Sequence, residues 1–240
     1  MQTTESASIA TPVPAPELRG HESYPSDNLG FLQRKHPLRG RPFGRLVYMA
    51  DSVMQPMDKP GFGMHPHVNV EVISYVLDGE LTHRDSAGNL GTVPAGGLQR
   101  ITAGTGIEHD ESNRTGKPLR MFQIWFAPEA MDVAPDYAVL DAASRLEVGR
   151  FVTMMQRGGS DGVLGVNADA SIALGRFEAK QKAVVTVAAD RAALLYMVEG
   201  AATSLGDALR RQDQLRILGP QTVELHTDSD SLLMLIESAA

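Results

Sequence analysis

Two short clusters have the residue types and spacing needed to hold a metal ion: His65-Pro66-His67 and His109-Asp110-Glu111. In an extended strand, side chains alternate between faces, so residues i and i+2 point the same way. His65 and His67 therefore converge on one point, and so do His109 and Glu111. Set on neighbouring strands, the two pairs offer three imidazoles and one carboxylate. That donor set suits a borderline first-row ion such as iron, nickel, copper or zinc better than calcium or magnesium. Either motif alone also occurs in surface loops that bind nothing, so the reading rests on finding both.

The elements between and around the clusters read as short antiparallel strands. Asp78-Gly79, Ala87-Gly88-Asn89 and Pro94-Ala95-Gly96-Gly97 are turn signals separated by apolar runs. Val70 to Leu77 is the densest strand signal, followed by Leu81 to Asp85, Gly91 to Val93 and Leu98 to Thr102. A glycine-rich bend from Ala103 to Ile107 delivers the chain to His109. Leu119 to Phe126 alternates and reads as a central strand, with Trp125 and Phe126 as core residues rather than a ligand platform. Upstream, Arg45 to Ala50 is a first core strand. Asp51 to Gly63, interrupted by Pro56 and Pro60, reads as a loop that leads into the first cluster and covers it.

Composition narrows the function classes. The chain has 240 residues, a net charge of −7 and no cysteine. Disulfides, thiolate ligands and cysteine nucleophiles are thereby excluded. There is no basic cluster, which argues against direct contact with nucleic acid, and no apolar run long enough for a bilayer. The N-terminus lacks the cationic start and apolar stretch of a signal peptide, so a cytoplasmic protein is expected. Residues 1–20, rich in Thr, Ser, Ala and Pro, read as a disordered arm.

The chain also repeats itself. Tyr75-Val76-Leu77-Asp78-Gly79 has a counterpart in Tyr196-Met197-Val198-Glu199-Gly200, and Gly97 to Ile101 resembles Asp213 to Ile217. Strand-like runs fill the second half at Arg150–Met155, Ile172–Phe177, Ala183–Val187, Ala193–Val198, Gln214–Leu218 and Ser231–Ile236. Two similar all-β halves are expected, 21–136 binding a metal and 137–240 lacking the site, because the second copy contains only His226. Between them, Asp141 to Leu146 is expected to form one or two helical turns.

GFGMHPH, the YVLDGELTHRDSAGNLGTV block, AGTGIEHDES and MFQIWFAPE together resemble the pirin family, a branch of the cupin superfamily. The resemblance covers about Gly61 to Glu129, and the second half agrees in arrangement. It implies an all-β chain of two tandem cupin barrels with one metal in the first, held at the positions of His65, His67, His109 and Glu111. It further implies a dioxygenase that opens a flavonol of the quercetin type, or a similar enol-bearing aromatic, with O2. Fe(II) is the first expectation for the ion, with nickel, copper, manganese and zinc also compatible. Glu111 is the candidate base for the substrate hydroxyl, and Glu71, matching a family glutamate, is held in reserve. The chain departs from the pirin pattern after the HPH, where Val68 and Asn69 replace a basic residue and a Gly or Asp, so the rim of the pocket loses a cation. A different class of function is also implied: an iron-bound, non-catalytic redox sensor that acts through a protein partner. A third, a cupin binding module with a purely structural metal, stays open as well. A monomer is the default for two fused barrels.

Overall fold

A computed structural model describes residues 10–13, 22–24, 32–35, 38, 41–56 and 61–240, the first three segments by backbone pairing only. In chain order the strands are β1 (Ala10–Val13), β2 (Glu22–Tyr24), β3 (Leu32–Lys35), β4 (Leu46–Met54), β5 (His65–His67), β6 (Glu71–Asp78), β7 (Glu80–Asp85), β8 (Leu90–Pro94), β9 (Gly97–Thr102), β10 (Ile107–Ser112) and β11 (Leu119–Phe126). They continue as β12 (Asp136–Asp141), β13 (Arg150–Arg157), β14 (Leu164–Val166), β15 (Ala170–Phe177), β16 (Lys182–Val187), β17 (Arg191–Glu199), β18 (Ala201–Ser204), β19 (Asp207–Arg210), β20 (Gln214–Leu218), β21 (Gln221–Thr227) and β22 (Ser231–Ala239). The turn expected near Asp141 is a 3-10 helix at Ala143–Arg145.

The chain forms two compact units. One comprises Leu18–Arg145 with Met154–Ala170, the other Met1–Glu17, Leu146–Thr153 and Ser171–Ala240. The first unit faces one sheet, β12-β9-β6-β11-β4-β3-β2, with a second, β5-β10-β7-β8. The expected boundary at 136/137 falls at the start of β12, which runs antiparallel to β9 along its whole length. Of the expected N-terminal arm, Ala10–Val13 pair with Gln214–Ile217 of β20, and the rest lies outside the described residues.

The repeat is a repeat of topology. β6 lies between β9 and β11, as β17 lies between β20 and β22, and the small sheets β5-β10-β7-β8 and β16-β21-β18-β19 share one order. The strands that carry the metal cluster in the first unit thus correspond to β16 and β21 in the second. There the inward positions are Ala183, Val185, Val187, Val223 and Leu225, members of one buried apolar cluster with Leu195, Leu215 and Leu233. His226 pairs with Lys182 and lies on the outward face, so the second interior is filled by hydrocarbon.

One expectation fails. Asp51–Met54 is not a loop but the second half of β4, paired with Leu119–Phe122. The polar Asp51 is tolerated in a strand interior because Arg120 donates to it through two nitrogens, Nε to Oδ1 at 3.2 Å and Nη2 to Oδ2 at 3.0 Å. Both side chains are largely buried, 11% and 2% exposed. Breaking a buried pair by removing one partner costs about 3–5 kcal/mol. Arg120→Ala is therefore expected to lower unfolding stability by about that much, read as a shift in the denaturant midpoint at unchanged slope.

Candidate metal centre

Strand register builds the centre. On β10, Ile107 pairs with His67 and His109 with His65 of β5. On its other side, His109 pairs with Asp85 and Glu111 with His83 of β7. Partners across an antiparallel ladder share a face. His65, His67, His109, Glu111, His83 and Asp85 therefore all project inward from one small sheet. The ring centroids of His65, His67 and His109 stand 4.4–5.0 Å apart.

Among the described residues, two triads place a donor atom from each member within 4.8 Å of the others: His65-His67-His109 and His83-His109-Glu111. His109 belongs to both. His65 directs Nδ1 to the Gly63 carbonyl at 2.9 Å, leaving Nε2 free for the cluster. Nε2 of His67 and both ring nitrogens of His109 are buried without a hydrogen-bond partner. Buried polar atoms are almost always paired, and an orphaned nitrogen on each of His67 and His109, beside His65, is what a bound cation would satisfy. The donors present therefore suit a divalent transition ion.

The opposite sheet cradles Glu111. Gln99, Ser74 and Gln123 lie side by side on β9, β6 and β11. The Ser74 hydroxyl donates to Glu111 Oε1 at 3.0 Å, Gln99 Nε2 donates to the same oxygen, and Gln123 Nε2 donates to Oε2 at 2.7 Å. Behind them, the Tyr137 hydroxyl donates to Gln99 Oε1 at 3.1 Å, which turns the amide so that its nitrogen faces the carboxylate. Burial, then the nearby Glu111 and Asp85, push the Tyr137 phenol up to about 12, so it stays a donor. The next row of the sheet is Trp125, Val72, Ile101 and Tyr137. Trp125 sits edge-on to His67 at 5.2 Å and against Tyr48 at 4.5 Å, so it is both wall and core.

Of the residues read from the sequence, His65, His67, His109 and Glu111 share this interior. Asp110 does not. It faces away and takes the Gly63 amide at 3.0 Å, tying down the segment that carries His65. A Cβ on Gly61, at φ +80°, would stand 2.0 Å from its carboxylate, which is why that turn requires glycine. Glu71 is not brought to the centre either. It is three residues from Ser74 and so on the outer face of β6, where Thr102 donates to it at 2.8 Å and the Asn167 amide at 3.4 Å. Burial raises its pKa. Beside it, Arg100, Asp136, Arg157 and Glu129 line a separate open cavity of about 440 Å³.

His83, Ser74, Gln99, Gln123 and Tyr137 were not singled out from the sequence. One signal was present: Ser74, Gln99 and Gln123 are polar residues at buried positions inside the apolar runs VISYV, LQRI and MFQIWF.

Burial, reinforced by neighbouring histidines, holds His67 down at about 4 and His109 at about 3. An unfolded chain titrates these rings near 6.5. As pH falls below 6.5 the unfolded state binds protons that the folded state refuses, so stability falls with it. The metal-free protein is expected to lose thermal stability steadily between pH 6.5 and 4, in scans across a pH series. A flat profile would contradict the buried neutral pair.

The comparisons with known proteins agree with this architecture. Residues 27–126 match the Pirin family and residues 154–238 the quercetinase C-terminal cupin domain. The chain is 34% identical over 198 residues to quercetin 2,3-dioxygenase of Escherichia coli K12, covering 81% of this chain and 83% of that one. A pirin-like protein of Caulobacter vibrioides is 31% identical over 82% of this chain and 84% of its own. The crystal structure of the bacterial pirin YhhW of Escherichia coli in complex with nickel(II) superposes with a TM-score of 0.85 at 30% identity, covering 96% of this chain and 99% of that one. Two tandem cupin domains, the first with an inward histidine–carboxylate cluster and the second filled by hydrocarbon, define a bicupin. Within that class, the chain belongs to the pirin family.

Proposed function

We propose that the first barrel is a metal-dependent dioxygenase centre that opens a flavonol, or a similar enol-bearing aromatic, with O2. The observation that carries it is the convergence of His65, His67 and His109 beside a buried, triply hydrogen-bonded Glu111, in a chain 34% identical to a quercetin 2,3-dioxygenase. In this reading those four residues hold one divalent ion, Fe(II) first, with nickel, copper, manganese or zinc able to occupy the same donors. Such an ion supplies Lewis acidity, a template for the substrate and an electron path to O2.

The chain's own residues do the rest. Two donors occupy Glu111 Oε1 and one occupies Oε2. Oε2 is the less saturated oxygen and receives the proton of the substrate's 3-hydroxyl. Gln123 holds that oxygen in place while Tyr137, through Gln99, holds the other. Trp125 and Tyr48 form an aromatic wall beside His67. Outside His67, a cavity of about 200 Å³ is lined by Pro66, Val68, Ile107 and Glu108 among others. It is smaller than the roughly 300–1,000 Å³ of pockets that enclose a drug-sized ligand. Val68, 57% exposed, gives this rim an apolar side chain where many pirins carry a cation, and so favours a neutral substrate face. The second barrel, with its apolar interior, holds no ion in this reading.

The test is oxygen uptake by anaerobically Fe(II)-loaded protein offered a panel of flavonols and catechols, with loss of flavonol absorbance followed in parallel. One O2 consumed per flavonol opened is expected. No uptake across the panel by protein that holds its metal would overturn the reading and favour the redox-sensing one.

A further inference from the structure

His83 is buried, lies inside the cluster and has no place in the ligand set just proposed. It sits on β7 directly opposite Glu111 and is 0% exposed. Its Nε2 meets Asp85 Oδ2 at 3.0 Å. Asp85 is fixed in turn, accepting from the amides of Ala87 and Asn89 at 3.0 and 2.9 Å and from Asn89 Nδ2 at 2.9 Å. With three donors already directed at it, the Asp85 carboxylate meets His83 as an acceptor. An ionised carboxylate only accepts. The proton between the two is therefore on His83 Nε2, and in the neutral ring Nδ1 is the acceptor. That atom is buried and has no partner. Tyr137 stacks on the ring at 4.3 Å and 7°, so the imidazole cannot swing away.

His109 presents the complementary problem. An imidazole that gives one nitrogen to an ion keeps N–H on the other, and that N–H needs an acceptor. Neither nitrogen of His109 has one. Glu111 Oε1 already accepts from Ser74 and Gln99, Oε2, with Gln123 as its donor, is the oxygen assigned to the substrate proton in the proposed function, and His65 and His67 are assigned to the ion. His83 Nδ1 is the remaining acceptor. The two ring centroids are 5.7 Å apart, and a nitrogen of each ring lies within 4.8 Å of one on the other.

We propose that His83 is a positioning residue of the metal centre: its Nδ1 accepts the outer N–H of His109, completing a chain Asp85–His83–His109 that sets the orientation and basicity of the ligand. The inference rests on His109 being a ligand, as the proposed function has it. Such outer partners are typically worth 10–100-fold in metal affinity.

The experiment compares wild type with His83→Phe, which keeps a stacked ring and removes the acceptor, and with His83→Asn, which restores a carbonyl. Ni(II) affinity is measured by chelator competition, and the number of coordinated imidazoles by X-ray absorption. The expected result is a loss of about 10–100-fold in His83→Phe, partial recovery in His83→Asn and an unchanged imidazole count. Nitrogen NMR of the metal-free wild type should show His83 as the Nε2–H tautomer, a readout that needs no variant to fold. Wild-type affinity in His83→Phe, or the Nδ1–H tautomer, would overturn the chain. One imidazole fewer in the variant would also overturn it, making His83 a ligand of the alternative triad. Wild type that takes up no Ni(II) would instead remove the metal centre itself, and the chain with it.

Discussion

Replacing His109 by alanine is expected to abolish stoichiometric metal binding while leaving the metal-free protein as stable as wild type or more so. His109 is the member common to both candidate triads, so neither arrangement survives its loss. The affinity should fall by more than the roughly 10–100-fold typical of an outer partner, since a ligand itself is gone. The second half follows from desolvation. In the metal-free protein both nitrogens of His109 are buried and unpartnered, a state that costs about 1–3 kcal/mol per group. Deleting the ring removes that cost and offsets the cavity it leaves. Elemental analysis after anaerobic Fe(II) loading should give about one metal per chain for wild type and almost none for the variant. Added metal should raise the melting temperature of wild type alone. His67→Ala belongs beside it, as the more exposed ligand. Full metal content in both variants would sink the assignment.

Glu111 behaves oppositely. Glu111→Ala leaves the Ser74 hydroxyl and the Gln99 and Gln123 amides as buried donors without an acceptor. At about 1–3 kcal/mol each, the metal-free protein is expected to lose several kcal/mol in denaturant unfolding. Glu111→Gln keeps the shape and one acceptor oxygen, and a flip of Gln123 presents its carbonyl to the new amide. That variant should fold, yet it has no carboxylate to take the substrate proton. Loss of a general base lowers turnover by about 10²–10⁴, which oxygen uptake with saturating flavonol would read. Turnover near wild type in Glu111→Gln would remove Glu111 as base and leave it as ligand only.

The contrast between these two residues shows how much of the site was legible beforehand. His65, His67, His109 and Glu111 could be paired from spacing because the two-residue period of a strand is local. The hairpin turns at Gly79, Gly88 and Gly96, all at positive φ, were legible for the same reason. Glu71 shows the limit of a family pattern read without parity. It shares β6 with Ser74, but an offset of three puts it on the other face. Asp51–Met54 reads as loop in the sequence because Pro56 and Pro60 follow it, while the pairing that makes it strand, and the Arg120 that neutralises Asp51, lie far along the chain.

By itself, then, the sequence determined the fold class, the repeat and the four inward-facing side chains His65, His67, His109 and Glu111 of the candidate centre. Each rests on residue type, turn chemistry or a short period. Only the tertiary structure decided what surrounds those ligands. Ser74, Gln99 and Gln123 come from three strands, His83 from a fourth, and Tyr137 from β12, past the expected junction. Their meeting at Glu111 and His109 depends on the register of long-range ladders. Register is set by the whole packed sheet, and shifting it by one residue would turn every one of these groups to the other face.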